Sequence, residues 1–441
     1  PGLIQLLFNI LHLRKAPLKV FQKWAEKYGP IYRVRIGTHD AVFISDPKLL
    51  KERFSNINST GRAYNPVTHY FGHGNGISQG HAWEAQRTFT VRKLRDFGVF
   101  KSSNEGFLMD GAKALVFNGP VISGFWRIIS GENSDWESAK KSEIIKRTEV
   151  LTEAINNTSL LFFAPFLRHI APTYFGWTGW TNAVDSILEF AHTVEKHSKH
   201  LDSNSPRDFI DHYLLKIKET TDPTSSFYQQ NGVTSLEAVV GDLLAGGSET
   251  SSTTLSFVTL YLLLHKEAQS KAQQELDHVV GLSRQVSLAD KPLLPYTEAI
   301  LLETFRVSSM AAFGVPHRMT ADTMFHGYFL PKDSTVISNL YAIHHNPNIW
   351  GKDVSEFRPE RFLSEDKTRV IHHEALMPFS TGRRACFGEG LARDTIFLFV
   401  AHILQKFNIE QNSECPVMAA ETVPGFVLQP KPFKFVLRLR N

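Results

Sequence analysis

Cysteine is scarce in this chain: two of 441 residues, Cys386 and Cys415. A disulfide scaffold of that length would carry more, so each thiol is read by its context. Cys415 lies in the polar turn Asn412-Ser413-Glu414-Cys415-Pro416 and reads as an ordinary thiol. Long apolar runs are also missing. Leu3 to Leu13 is about half of the roughly 20 residues that a membrane-spanning helix needs. The chain is therefore expected to be soluble or peripheral, with any membrane anchor lying before Pro1. A strong excess of one charge is missing too. The 48 basic and 44 acidic residues leave +4, too little for a nucleic-acid platform, though a local basic face can still steer an acidic protein partner. Gly72, Gly74, Gly76 and Gly80 make no dinucleotide fingerprint, because Ile77 stands where the third glycine belongs. With no flavin or NADPH motif, electrons for any redox reaction must come from another protein. His69, His73 and His81, and the pairs His344-His345 and His372-His373, have no thiolate or carboxylate at ligand spacing. Zinc is not expected there, and these histidines are read as solvent-facing.

What is present suits a globular protein. The composition, 42% hydrophobic and 21% charged, argues against extensive disorder, and there is ample chain to bury a core and an internal cavity. Helical spacing over Val20 to Tyr28 ends at Gly29-Pro30. Short strands Ile31 to Ile36 and Ala41 to Ile44 flank the turn Gly37-Thr38-His39-Asp40, and Asp46-Pro47 opens another helix. Residues 61–81 read as a loop, followed by helix from His81 to Phe97. Helices then dominate to about residue 310, and the longest apolar run is Leu236 to His265. Small strands are expected over 313–340 and mostly loop over 341–385. A strongly apolar helix is expected from Gly388 to Phe407, and a hairpin-like stretch from Phe426 to Leu439. The fold class is mainly α with a minor β region.

The most informative stretch is Phe379-Ser380-Thr381-Gly382-Arg383-Arg384-Ala385-Cys386-Phe387-Gly388. Glycines on both sides of Cys386 let the backbone turn tightly and approach a flat ligand. Cys386 precedes a helix, whose amides and dipole favour a thiolate. Arg384 can face a carboxylate of the same ligand, and a thiolate behind haem iron favours O–O cleavage. The plainer reading is a buried structural cysteine beside two solvent-facing arginines. Elsewhere, Glu303 and Arg306 share one helical face in apolar surroundings. Once buried they need a further partner, which Phe357-Arg358-Pro359-Glu360-Arg361-Phe362 can supply. Gly246 and Gly247 each cost the long helix about 1 kcal/mol against alanine. That points to a gap or kink, although a close helix–helix contact explains the pair on its own. Trp83 and Arg87 place two donors one turn apart, suited to a propionate.

The cysteine stretch fills every position of the pattern Phe-x-x-Gly-x-Arg-x-Cys-x-Gly, and on it the chain resembles the cytochrome P450 superfamily. The likeness runs from Pro1-Gly2 to Pro430-Lys431-Pro432-Phe433 and is similar in detail to microsomal family-two members, including arthropod ones. It implies the cytochrome P450 fold: a single large haem-enclosing domain over residues 1–441. It also implies a monooxygenase that places one oxygen atom from O2 into a lipophilic substrate, by hydroxylation or epoxidation. Haem b would be the cofactor and Cys386 the metal ligand. Phe379, Gly382, Arg384, Gly388, Trp83, Arg87 and His317 would stand at the haem. Glu249 and Thr250 would deliver protons, and Glu303, Arg306 and Arg361 would form a structural network. The pocket would be lined by residues 64–77, Leu244, Ala245, 311–314 and 423–426, with Phe71, Phe313 and Phe426 the bulky members. Electrons would come from NADPH–cytochrome P450 reductase, with cytochrome b5 as a further donor, meeting Arg87, Arg92, Lys93, Arg95 and Arg383. The resemblance implies the cytosolic face of the endoplasmic reticulum membrane, reached through an anchor preceding Pro1. An O2-independent isomerase or dehydratase, or an inactive haem-binding fragment, remains open from the sequence. In one place the chain departs from the family. Met109 to Asn118 runs quickly into Gly119-Pro120, so the 109–120 segment is read as shortened, which would uncover apolar surface beside the core.

Overall fold

Local chemistry sets the first elements. Helix α1 (Pro17–Tyr28) stops at Gly29, whose φ of 92° no ordinary side chain adopts easily. Strands β1 (Ile31–Ile36) and β2 (His39–Ile44) pair antiparallel from Ile31↔Ile44 to Ile36↔His39. The second strand starts earlier than its apolar residues suggest, because Asp40 is held across the ladder by Arg35 at 2.7 Å. Helix α2 (Pro47–Ser55) is capped by Asp46, whose Oδ1 accepts from the amides of Lys48 and Leu49 at 2.9 Å. The computed structural model describes residues 17–36, 39–70, 82–96, 118–132, 143–162, 164–189 and 191–440. The expectations for Leu3 to Leu13, Phe71, His73, His81, the glycines at 72–80 and residues 109–117 lie outside them.

The main sheet joins segments far apart in sequence. Strands β3 (Gly61–Arg62), β4 (His317–Arg318) and β7 (Thr335–Ser338) complete the order β1-β2-β7-β4-β3. The small strands β5 (Thr323–Phe325) and β6 (Tyr328–Leu330) pair with each other. Strand β3 falls inside the segment expected to be loop, because two residues carry no readable alternation. Its pairing sets Arg62 opposite His317 and Gly61 opposite Arg318. A Cβ at Gly61 would lie 2.7 Å from the Arg318 carbonyl oxygen, so the ladder itself demands glycine.

Helices make up most of the remainder. Helix α3 (Trp83–Asp96) packs beside the helical segment Phe209–Glu219, while α4 (Asn118–Ser130) and α5 (Glu143–Asn157) pack against α6 (Gln229–Leu264), which has 36 residues and spans about 54 Å. Helix α7 (Pro295–Ser308) and α8 (Glu389–Lys406) pack against its second half. Leu255, Phe257, Leu260, Leu301, Phe397 and Leu404 meet there with almost no exposed surface. Each such side chain contributes about 1.5–3 kcal/mol by leaving water, and helices apolar on all sides are stable only in this setting. Among the described residues no helix is long and apolar enough to cross a membrane.

The tail corrects one expectation. Phe426 to Leu439 does not close on itself. Strand β11 (Phe435–Leu439) pairs with β8 (Phe407–Gln411), directly after α8, while β9 (Thr422–Val423) pairs with β10 (Gln429–Pro430). Pro430 and Pro432 have no amide hydrogen to continue a ladder, so the chain between them and β11 must seek another partner. The stretch 341–385, expected to be mostly loop, contains only short helical turns, at Leu340–His344 and Pro347–Trp350 among them.

Candidate functional site

The cysteine loop is fastened at its own ends and to α2. The Cys386 amide donates to the Phe379 carbonyl at 2.9 Å, and the Ala385 amide to Gly382 at 3.1 Å. Gly382 has φ of 76°, and a Cβ there would lie 2.2 Å from the Phe54 carbonyl oxygen. This glycine is therefore required by protein backbone, not by approach to a ligand as its place in the motif suggests. Gly388 is different: a Cβ there would meet only the Cys386 sulfur, at 3.9 Å. Phe379 stands edge-on to Phe305 and beneath the Arg393 guanidinium.

Cys386 keeps exposed surface although protein surrounds it. A side chain lining a concave site has both properties. Burial raises its pKa, outweighing the amides of Gly388 and Glu389 and the Arg87 charge, which act the other way. The helix start alone therefore does not produce the expected thiolate. A bound metal cation does, because coordination strips the proton from a thiol.

A cluster of cations shares this face. The Arg384 guanidinium lies 3.6 Å over the Trp83 ring, and its Nε donates to the Thr60 carbonyl at 2.8 Å. Arg87 Nη2 donates to the Ala385 carbonyl at 2.7 Å, one residue from the sulfur. Arg62 Nη1 donates to Val315, while its Nε is buried with no partner among the described residues. Burial depresses all three arginines. Mutual repulsion adds to this in Arg62, pushed down to about 10, and in Arg384, pushed down to about 9. Asp242 and Glu84 oppose the repulsion more weakly. His317 is buried and stacks 3.7 Å from Phe54, and its Nδ1 donates to the Ser59 carbonyl at 2.7 Å. Burial and then Arg62 hold it well below its usual pKa, so it is neutral. Trp83 enters the site through its ring face under Arg384. A flat dianionic ligand with a thiol-binding metal suits this donor set: a sulfur at one place, and three crowded guanidiniums, one with an orphaned N–H, at another. Haem is such a ligand, and the residues fit it. Arg62 was missed in the sequence, because only the β3–β4 pairing brings it beside His317.

Helix α6 runs unbroken through Gly246 and Gly247, and the two glycines serve different ends. A Cβ at Gly247 would press 2.5 Å from the Phe125 ring on α4, whereas nothing lies within 4 Å at Gly246. Thr250 Oγ1 donates to the Gly246 carbonyl at 2.6 Å. It lines a small cleft together with Thr254, Phe305, Met310, Phe379 and Ala392. Glu249 does not line that cleft. Its Oε1 accepts from Asn156 Nδ2 at 2.6 Å and Gln429 Nε2 at 2.9 Å, and burial raises its pKa more than these donors lower it.

Glu303, Arg306 and Arg361 meet in the interior. Arg306 grips Glu303 through Nε at 2.7 Å and Nη2 at 2.8 Å, and its remaining donors reach the carbonyls of His344, Val354 and Glu356. Arg361 reaches Glu303 at 3.4 Å and Asp353 at 3.2 Å. His344 is buried, against the solvent-facing expectation. Its Nε2 accepts from the Met377 amide and its Nδ1 donates to Ser309, so the ring has partners at both nitrogens. Phe313 packs against Phe21 and Phe43, and Leu244 lies in the helical core. Arg92, Arg95 and Arg383 are exposed, while Lys93 pairs with Asp96 at 3.5 Å.

The family model for cytochrome P450 matches residues 1–116 and 121–437, so the match breaks inside the segment expected to be shortened. Farnesoate epoxidase of Bombyx mori is 30% identical over 444 residues, covering 96% of this chain and 88% of that protein. Cytochrome P450 2B2 of Rattus norvegicus is 34% identical over 438 residues, covering 93% and 87%. Cytochrome P450 2L1 of Panulirus argus is 32% identical over 449 residues, covering 94% and 89%.

Proposed function

Since the chain belongs to the cytochrome P450 family and is an oxidoreductase of its monooxygenase kind, we propose that Cys386 holds haem b and that the enzyme oxygenates a lipophilic substrate. The observation carrying this reading is the Cys386 sulfur in a concave site shared with Arg62, Arg87 and Arg384. When bound, haem iron would supply the chemistry of dioxygen, in which two electrons from the donor protein and two protons send one oxygen atom to substrate and the other to water. The chain's own residues bind, orient and move protons. Arg62, Arg87 and Arg384 receive the propionates, which relieves the repulsion that depresses Arg62 and Arg384. Thr250 presents its hydroxyl in the cleft with its hydrogen committed to Gly246, so its lone pairs face the reacting region as acceptors. Glu249, at the preceding position of the helix, supplies the proton.

Electrons come from NADPH–cytochrome P450 reductase, with cytochrome b5 as a further donor, meeting the exposed Arg92, Arg95 and Arg383. The location is the cytosolic face of the endoplasmic reticulum. The name of the Bombyx mori relative suggests unsaturated acyclic lipids as first substrates, with epoxidation or hydroxylation as the outcome. The test supplies holoenzyme, reductase, NADPH and isotopically labelled dioxygen with a panel of such lipids. One labelled atom should enter the product only when NADPH is present. Turnover without NADPH, or product oxygen drawn from water, would overturn the proposal.

A further inference from the structure

Glu249 is gripped by two segments that lie far apart in the sequence. Asn156, in the last turn of α5, and Gln429, in β10, both donate to the same oxygen, Oε1. Asn156 is itself fixed. Its Nδ2 also reaches the Thr152 carbonyl at 3.1 Å, and its Oδ1 accepts from the Val427 amide at 3.5 Å. The chain passes so close that a Cβ at Gly425 would lie 2.6 Å from Asn156 Oδ1. Burial and these two amides account for the direction in which Glu249 shifts; no charged side chain contributes. An oxygen that already accepts two N–H bonds is the poorer place for a proton, so a protonated Glu249 carries its hydrogen on Oε2.

We propose that Asn156 and Gln429 are positioning residues: by donating to Oε1 they hold the Glu249 carboxyl in one orientation with its transferable proton on Oε2. The same bonds fasten the 425–430 turn to α6, so this stretch of chain and the acid move together. The inference rests on the proton-delivery reading of Glu249 given above.

The test uses the reductase-supported holoenzyme and three variants, Glu249→Gln, Gln429→Met and Asn156→Leu. Product per NADPH is measured, and so is the infrared carboxyl band of the resting, substrate-free protein as pH is varied. Glu249→Gln identifies the band by removing it. Each amide stabilises the ionised carboxylate, so losing one must move the titration of the band to higher pH. Product per NADPH should fall about tenfold, part of what removing a general acid costs, at unchanged haem content. Wild-type titration and coupling in Gln429→Met and Asn156→Leu, alongside an uncoupled Glu249→Gln, would overturn the positioning role alone. Wild-type coupling in Glu249→Gln would overturn the proton-delivery reading beneath it. Should Asn156→Leu fail to fold, Gln429→Met decides, because among the described residues the Gln429 side chain bonds to Glu249 alone.

Discussion

The molecule holds two groups of buried arginines, and they differ in where their counter-charges come from. Around Glu303 the protein supplies everything. All five N–H donors of Arg306 are used, two of them on Glu303 and three on main-chain carbonyls, and Arg361 is shared between Glu303 and Asp353. Around Cys386 the balance is different: neighbouring arginines depress Arg62 and Arg384, Asp242 opposes this only weakly, and Arg62, Arg87 and Arg384 donate to main-chain carbonyls. Complete satisfaction marks a group built to hold the fold, and repulsion marks one built to receive an anion.

The comparison breaks most visibly at its complete half. Glu303→Gln removes the charge on which both Arg306 and Arg361 converge. Stripping one partner from a buried pair should cost about 3–5 kcal/mol, read as a lower denaturant midpoint and a poor yield of folded protein. Unchanged stability would place Glu303 among ordinary surface acids.

The next effect is a pH dependence beside the same group. Burial, then His345 and Arg306, push His344 down to about 3. A base depressed in the folded state binds more protons once unfolded, so its contribution is full above about pH 6.5 and is lost as pH falls toward 3. Folding stability should drop by about 2 kcal/mol between pH 7 and pH 5 from this residue alone. His344→Gln should flatten that slope in equilibrium unfolding; the same slope in variant and wild type would contradict it.

The smallest effect sharpens the incomplete half. Arg384→Met should leave the haem-free protein as stable or slightly more so, because a repelling charge is gone. It should also weaken haem retention about tenfold, the worth of one charge-assisted hydrogen bond. Titrating haem into the two proteins separates these outcomes, and equal affinity would remove Arg384 from the site.

The sequence made the two halves unequally legible. Glu303, Arg306 and Arg361 could be read because a helical spacing and an apolar neighbourhood carry the burial. Cys386 and Arg384 could be read because they stand in one tight loop. Arg62 could not, because its place depends on a two-residue strand meeting another some 255 positions away. Asn156 and Gln429 were invisible for the same reason: their amides converge on Glu249 only after α5, α6 and the tail have packed. The glycines were legible as special, and a helix–helix contact at Gly247 was one reading of the pair, but their partners were not legible. Gly382 answers to Phe54 and Gly247 to Phe125, contacts that no local pattern encodes. His344 was misjudged because a histidine pair in a loop gives no hint of the Met377 amide and Ser309 hydroxyl that satisfy it in the interior.

The most direct measurement is the absorption spectrum of the reduced, carbon monoxide-bound protein, wild type against Cys386→Ala. The account predicts the strongly red-shifted Soret band of thiolate-ligated haem in the wild type and its loss in the variant. Folded wild-type protein that binds no haem, or a band that survives the loss of the sulfur, would contradict it.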